Sequence, residues 1–157
     1  MSTSPHSGAS NSARKRRSCT VAPHKSQTDR ADFEQDYRRL DSRADLLVER
    51  EVYGADTGIH GYSTVAQAND LAERLGLCPG ARLLDIGGGR GWPGLYLAKK
   101  TGCNAVLTDL PLAAIRNSLA RAKRHRLQRR SSFLLASGSL LPFRPRVFDA
   151  VTHTDVL

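Results

Sequence analysis

Leu83-Leu84-Asp85-Ile86-Gly87-Gly88-Gly89-Arg90-Gly91 is the stretch that decides the fold. An apolar run, Arg82 to Ile86, reads as a short buried strand and delivers the chain to a turn of small residues. Pro93 to about Lys100 then reads as a helix, with proline near the first turn, where a missing N–H costs little. Glycine tolerates positive φ and lets a ligand approach the backbone closely. The first turn of the helix adds free N–H groups and the positive end of a dipole. Two phosphate-binding patterns fail here. In G-x-G-x-x-G counted from Gly87 the third glycine would fall on Trp92, and no G-x-x-x-x-G-K-[ST] occurs. The spacing present is D-x-G-x-G-x-G, with Asp85 two residues before Gly87.

Downstream, strands and helices alternate. Asn104 to Thr108 is a second strand and Pro111 to about His125 a second helix; Ser132 to Ala136 and Val147 to Thr152 are third and fourth strands. Such alternation predicts an α/β fold with a parallel sheet built of βαβ units. Upstream, Phe33, Tyr37, Leu40, Ala44, Leu47 and Val48 recur at three- and four-residue steps, which predicts one amphipathic helix from Asp32 to about Tyr53. After a glycine-rich passage from Gly54 to Tyr62, Thr64 stands three residues before Gln67, a capping-box spacing. It opens a helix through Val65, Ala68, Leu71, Ala72 and Leu75, which Gly76 is placed to end.

A second acid belongs with the glycine turn. Asp109, in Val106-Leu107-Thr108-Asp109-Leu110, lies 24 positions after Asp85. Nucleotide-binding βαβ units place an acid at roughly 20 residues for the ribose hydroxyls. A carboxylate at a strand end accepts from both the 2′ and 3′ hydroxyls. Taken alone, Asp109 is equally a turn acid that caps a helix.

The glycine passage resembles the first motif of class I S-adenosylmethionine-dependent methyltransferases at every defining position. The resemblance implies that Asp85, Gly87, Gly89 and Gly91 contact the cofactor S-adenosyl-L-methionine, with Asp109 on its ribose and Leu110 against adenine. Ser137-Gly138-Ser139-Leu140-Leu141-Pro142-Phe143 is similar to the family's D-A-x-x-L-P-F stretch, with Ser137 where an acid often accepts from the adenine amino group. A hydroxyl still accepts, without charge assistance, so weaker adenine recognition is expected. Trp92 is expected beside the methionine moiety, and Tyr62 is a candidate lid, Tyr53 a weaker one; packing of a helix on the sheet is the alternative use of these aromatics. Phe148 to Leu157 resembles the fourth strand and its loop, which puts His153 and Asp155 near the reacting methyl as catalytic candidates. Their plainer role is to cap the turn.

The family's sheet has seven strands, and the resemblance, over about Asp32 to Leu157, supplies four. The expectation is therefore a partial doubly wound parallel sheet, order 3-2-1-4, with N-terminal helices, from an apparently truncated enzyme whose fourth strand lacks its outer neighbour. An uncovered apolar edge of that kind is an aggregation liability. Residues 1–28 read as a basic, Ser-rich disordered tail, residues 29–80 as a helical segment and residues 81–157 as a Rossmann-like half domain binding the cofactor. The tail has the acid-poor look of a transit peptide but no amphipathic face.

The formal charge is +9. Arg14 to Arg17 and the run Arg121, Lys123, Arg124, Arg126, Arg129 and Arg130 carry ten positive charges, so the remainder is close to neutral. The run reads as a solvated helix end suited to the negative end of a dipole, and no aromatic interleaves it as a single-strand stacking platform requires. Cys19, Cys78 and Cys103 have no CxxC spacing, which supports neither zinc nor a disulfide framework and suits reduced thiols in the cytoplasm. No metal site and no membrane span is expected. The leading function is methyl transfer to a small-molecule acceptor. RNA as acceptor and a non-enzymatic cofactor-binding remnant are the alternatives. Nothing in the sequence sets the oligomeric state.

Overall fold

A computed structural model describes residues 27–39, 42–53, 58–59 and 62–154. The basic run of the tail, Arg14 to Arg17, and Cys19 lie outside them, as do most of the Gly54–Tyr62 passage and Asp155. The elements in chain order are α1 (Gln27–Arg39), α2 (Arg43–Tyr53), α3 (Val65–Arg74), β1 (Arg82–Ile86), α4 (Gly94–Thr101), β2 (Asn104–Asp109), α5 (Leu112–Arg124), β3 (Ser131–Leu135) and β4 (Ala150–His153).

The four strands form one sheet in the order β3-β2-β1-β4, and every pairing is parallel. This is the α/β architecture and order expected. Register puts Asp85 beside Leu107 of β2 and Thr152 of β4, and Asp109 beside Leu135 of β3. Because strand side chains alternate, Leu83, Asp85, Ala105, Leu107, Ala150 and Thr152 share one face. There Leu83, Ala105 and Leu107 join Leu95, Leu97 and Ala98 of α4 and Ala122 of α5 in one apolar core. Each fully buried leucine contributes about 2 kcal/mol. Val151 and His153, on the opposite face of β4, are exposed.

The N-terminal segment departs from expectation in two ways. The single helix expected from Asp32 to Tyr53 is two, because Ser42 starts a new one. Its backbone N–H donates to Asp45 Oδ2 at 3.0 Å, and Asp45 N–H donates to Ser42 Oγ at 3.2 Å, a reciprocal cap. The face is also different: Leu47 and Val48, expected inward, are exposed, while Glu49 is buried. At α3 the expected capping box between Thr64 and Gln67 is present, with Thr64 N–H donating to Gln67 Oε1 at 2.8 Å. Gly76, at φ +59, ends that helix.

Candidate functional site

The site is built at the carboxyl ends of β1, β2 and β3, where ligands bind in open parallel sheets. Gly87 and Gly88 fold the turn back onto β2 by donating to the Thr108 carbonyl at 2.8 and 3.1 Å. Gly91 has φ +111, and a Cβ there would stand 2.5 Å from Leu95 Cδ1, so only glycine fits. Asp109 lies across the turn. Its Oδ2 accepts the Gly89 N–H at 2.8 Å, and its Oδ1 accepts the Leu110 N–H at 2.7 Å.

Asp85 is not on the surface of this crevice. It is completely buried. Oδ2 accepts the Gly94 N–H at 2.9 Å and Oδ1 accepts the Thr152 hydroxyl at 2.8 Å. Burial drives its pKa up to about 7, against the lowering effect of those two hydrogen bonds. The carboxyl expected to touch a cofactor instead pins the start of α4 and strand β4 beneath the glycine turn. Gly94, not singled out in the sequence, is needed for this: a Cβ on it would stand 2.6 Å from Asp85 Oδ2.

Trp92 is also placed differently. It is 5% exposed and packs with Ile59, Ala68, Val65 and Tyr96, with its ring centroid 5.3 Å from that of Tyr96. Its indole N–H donates to Ser63 Oγ at 2.8 Å. These contacts are those of the packing alternative. Tyr62 stands 95% exposed, and the Tyr53 side chain is outside the described residues.

Helix α1 takes the covering position. Its Glu34 Oε2 accepts the Ala113 N–H at the start of α5 (3.1 Å), and Asn117 Nδ2 donates to the Tyr37 carbonyl at 2.8 Å. The Tyr37 hydroxyl is 2.8 Å from where a Gly89 Cβ would be. Burial, with the negative charge of Asp109 beside it, raises the Tyr37 pKa to about 12. Between α1 and the strand tips lies a cavity of about 570 Å³ lined by Ala31, Glu34, Leu110, Pro111, Leu112, Leu135, Ala136 and Ser137. It brings Leu110 and Ser137 together and adds Glu34.

Behind the turn sits a buried ionic cluster that no local pattern announced. Arg90 Nη1 is 2.9 Å from Glu49 Oε1, and Arg121 Nη1 is 3.0 Å from Glu49 Oε2. Gly58 N–H also donates to Oε2 at 3.1 Å. Arg121, expected at a solvated helix end, is 1% exposed. Arg130 is turned onto the Gly102 carbonyl. His153 is exposed at the end of β4, opposite Ile86 of β1. Among the described residues no group of three or more His, Cys, Asp or Glu side chains is arranged to hold a metal. No helix described is long and apolar enough to cross a membrane.

Residues 84–157 match the family described as methyltransferase domain. These residues, a little under half of the chain, are similar to that family. Among curated relatives, erythromycin 3''-O-methyltransferase of Saccharopolyspora erythraea is 36% identical over 56% of the chain and 29% of its own length. Sterol 24-C-methyltransferase of Schizosaccharomyces pombe is 28% identical over 82% of the chain and 37% of its own length. The chain thus spans about a third of the length of these relatives. A solved structure, phosphoethanolamine N-methyltransferase 2 of Haemonchus contortus with phosphomonomethylethanolamine and S-adenosylhomocysteine, has the same fold at a TM-score of 0.57, with 21% identity over 75% of this chain and 28% of that one.

Proposed function

We propose that the chain binds S-adenosyl-L-methionine at the glycine turn and serves methyl transfer to a small-molecule acceptor. The observation that carries this is Asp109, held at the tip of β2 with its carboxylate on Gly89 N–H at 2.8 Å, one residue before Leu110 of the cavity lining. The residues fit the group. A nucleoside needs an acceptor for ribose hydroxyls, an apolar slot for its base and backbone close enough to touch its amino-acid end. Asp109, the Leu110–Leu135 wall and the backbone of Gly87 and Gly89 are assigned to these in order. Gly91 shapes the turn, and Asp85 acts as a positioning residue, holding the turn and α4 from below without touching the ligand. When bound, the sulfonium supplies a methyl group already attached to a good leaving group. The protein's part is then to hold the acceptor in line and exclude water.

His153, exposed at the end of β4, is the residue we assign to orienting the acceptor, together with Asp155, which lies outside the described residues. Small-molecule acceptors are supported by the relatives, whose names state an antibiotic and a sterol. RNA is disfavoured because the basic run is not a free row: Arg121 is buried on Glu49 and Arg130 is turned onto Gly102. The exposed thiol of Cys78 and the buried one of Cys103 suit a reducing compartment such as the cytoplasm.

Calorimetric titration with S-adenosylmethionine and S-adenosylhomocysteine tests the reading. Both bind the wild-type chain, and Asp109→Ala weakens them by at least about tenfold, the effect of one lost charge-assisted hydrogen bond. A folded wild-type protein that takes up neither ligand sinks it.

A further inference from the structure

The cavity beside Leu110 has one charged side chain in its lining, and it comes from α1, not from the sheet. We propose that Glu34 reads the exocyclic amino group of the adenine, taking the place that Ser137 leaves unfilled. This rests on the reading above that the cavity receives the cofactor's base.

The slot is apolar on most sides: Ala31, Leu110, Pro111, Leu112, Leu135 and Ala136. A planar heterocycle fits such walls, but its polar edge then loses water and needs partners. Two lining side chains can offer an acceptor. Ser137 is engaged within its own loop, since its Oγ accepts the Ser139 N–H at 3.3 Å and lies 2.8 Å from Ser139 Oγ, where either hydroxyl can donate. Glu34 is differently placed. Its side chain is 25% exposed, with Arg38 Nε 3.4 Å from Oε1. The Ala113 N–H on Oε2 fixes it in the wall. Each carboxylate oxygen accepts two hydrogen bonds, so one more donor is accommodated on each. A carboxylate accepts and never donates, and it therefore selects a base with an amino group at this edge.

The experiment compares S-adenosylhomocysteine with its 6-deamino purine analogue, which lacks only the amino group. The wild-type chain prefers the amino form by about tenfold, one charge-assisted hydrogen bond in a partly wet site. Glu34→Gln keeps a neutral acceptor, roughly half as strong, and retains a preference of about threefold. Glu34→Leu brings the two ligands within about twofold. Ser137→Ala leaves the wild-type ratio intact. The proposal is overturned by a wild-type ratio of one, by a folded Glu34→Leu variant with the wild-type ratio, or by a Ser137→Ala variant that loses it. The first and last readouts hold even where Glu34→Leu fails to fold. Absence of binding by either ligand to wild type defeats the cofactor reading itself, a result separate from these.

Discussion

Asp85 keeps a carboxyl group where there is no water, between the Gly94 N–H and the Thr152 hydroxyl. Burial outweighs both hydrogen bonds, and the folded pKa stands at about 7. An unfolded chain gives up that proton near pH 4, so the native state binds more protons between about pH 4 and pH 7. Stability tied to Asp85 is complete below that window and is lost as pH rises through it, by no more than about 4 kcal/mol. Asp85→Asn removes the titration while keeping an acceptor for Gly94. Thermal midpoints of the two proteins should therefore converge or cross as pH rises from about 5 to 7.5, the wild type losing ground. Parallel curves would show that the group does not titrate there. The neighbouring contact has its own test. Gly94→Ala places a methyl 2.6 Å from Asp85 Oδ2 and 3.0 Å from its Cβ. Overpacking of that kind costs about 1–3 kcal/mol, readable as a lowered melting temperature.

At the scale of elements, Glu49 joins α2 to the glycine turn through Arg90 and to α5 through Arg121, 72 residues further on. Replacing that carboxylate takes a counter-charge from two buried guanidinium groups. Glu49→Gln should destabilise the chain by about 3–5 kcal/mol in a urea titration, and a change below about 1 kcal/mol would mean that water reaches the cluster. The same cluster marks where the sequence stops being legible. The strands and the Gly87–Gly91 turn could be read because strand alternation and positive-φ glycines are local properties. The Thr64 cap was readable for that reason, and Ser42-x-x-Asp45 offered a similar signal that the apolar period through Leu40 and Ala44 masked. A three- to four-residue period says which face repeats, not what covers it. Leu47 and Val48 therefore looked like core, while a buried pairing of Glu49 with residues of opposite charge far along the chain left no periodic trace. For Asp85 and Trp92 the likeness gave no side-chain direction. Their position in the motif was right, but the direction of the side chain depends on α3, α4 and β4 packing against them.

For the whole molecule the consequence lies in how α1 is held. It meets the sheet domain through Glu34 on Ala113, the Tyr37 carbonyl on Asn117 and the Tyr37 hydroxyl close over Gly89. A helix that packs onto a sheet domain from outside opens locally at lower cost than the core beneath it. A ligand seated between α1 and the strand tips touches both, so it binds the docked helix and not the undocked one. Linkage then slows undocking by the factor of ligand concentration over Kd, about a hundredfold when the ligand is present at 100 Kd. Amide exchange across residues 31–39 should therefore slow by about that factor with S-adenosylhomocysteine. With Asp109→Ala at the same ligand concentration the slowing should fall to about tenfold or less, because the ribose contact is gone. If the helix exchanges at one rate with and without bound ligand, α1 is no wall of the site. Glu34 then has no access to the base, however well the sheet holds the rest of the nucleoside.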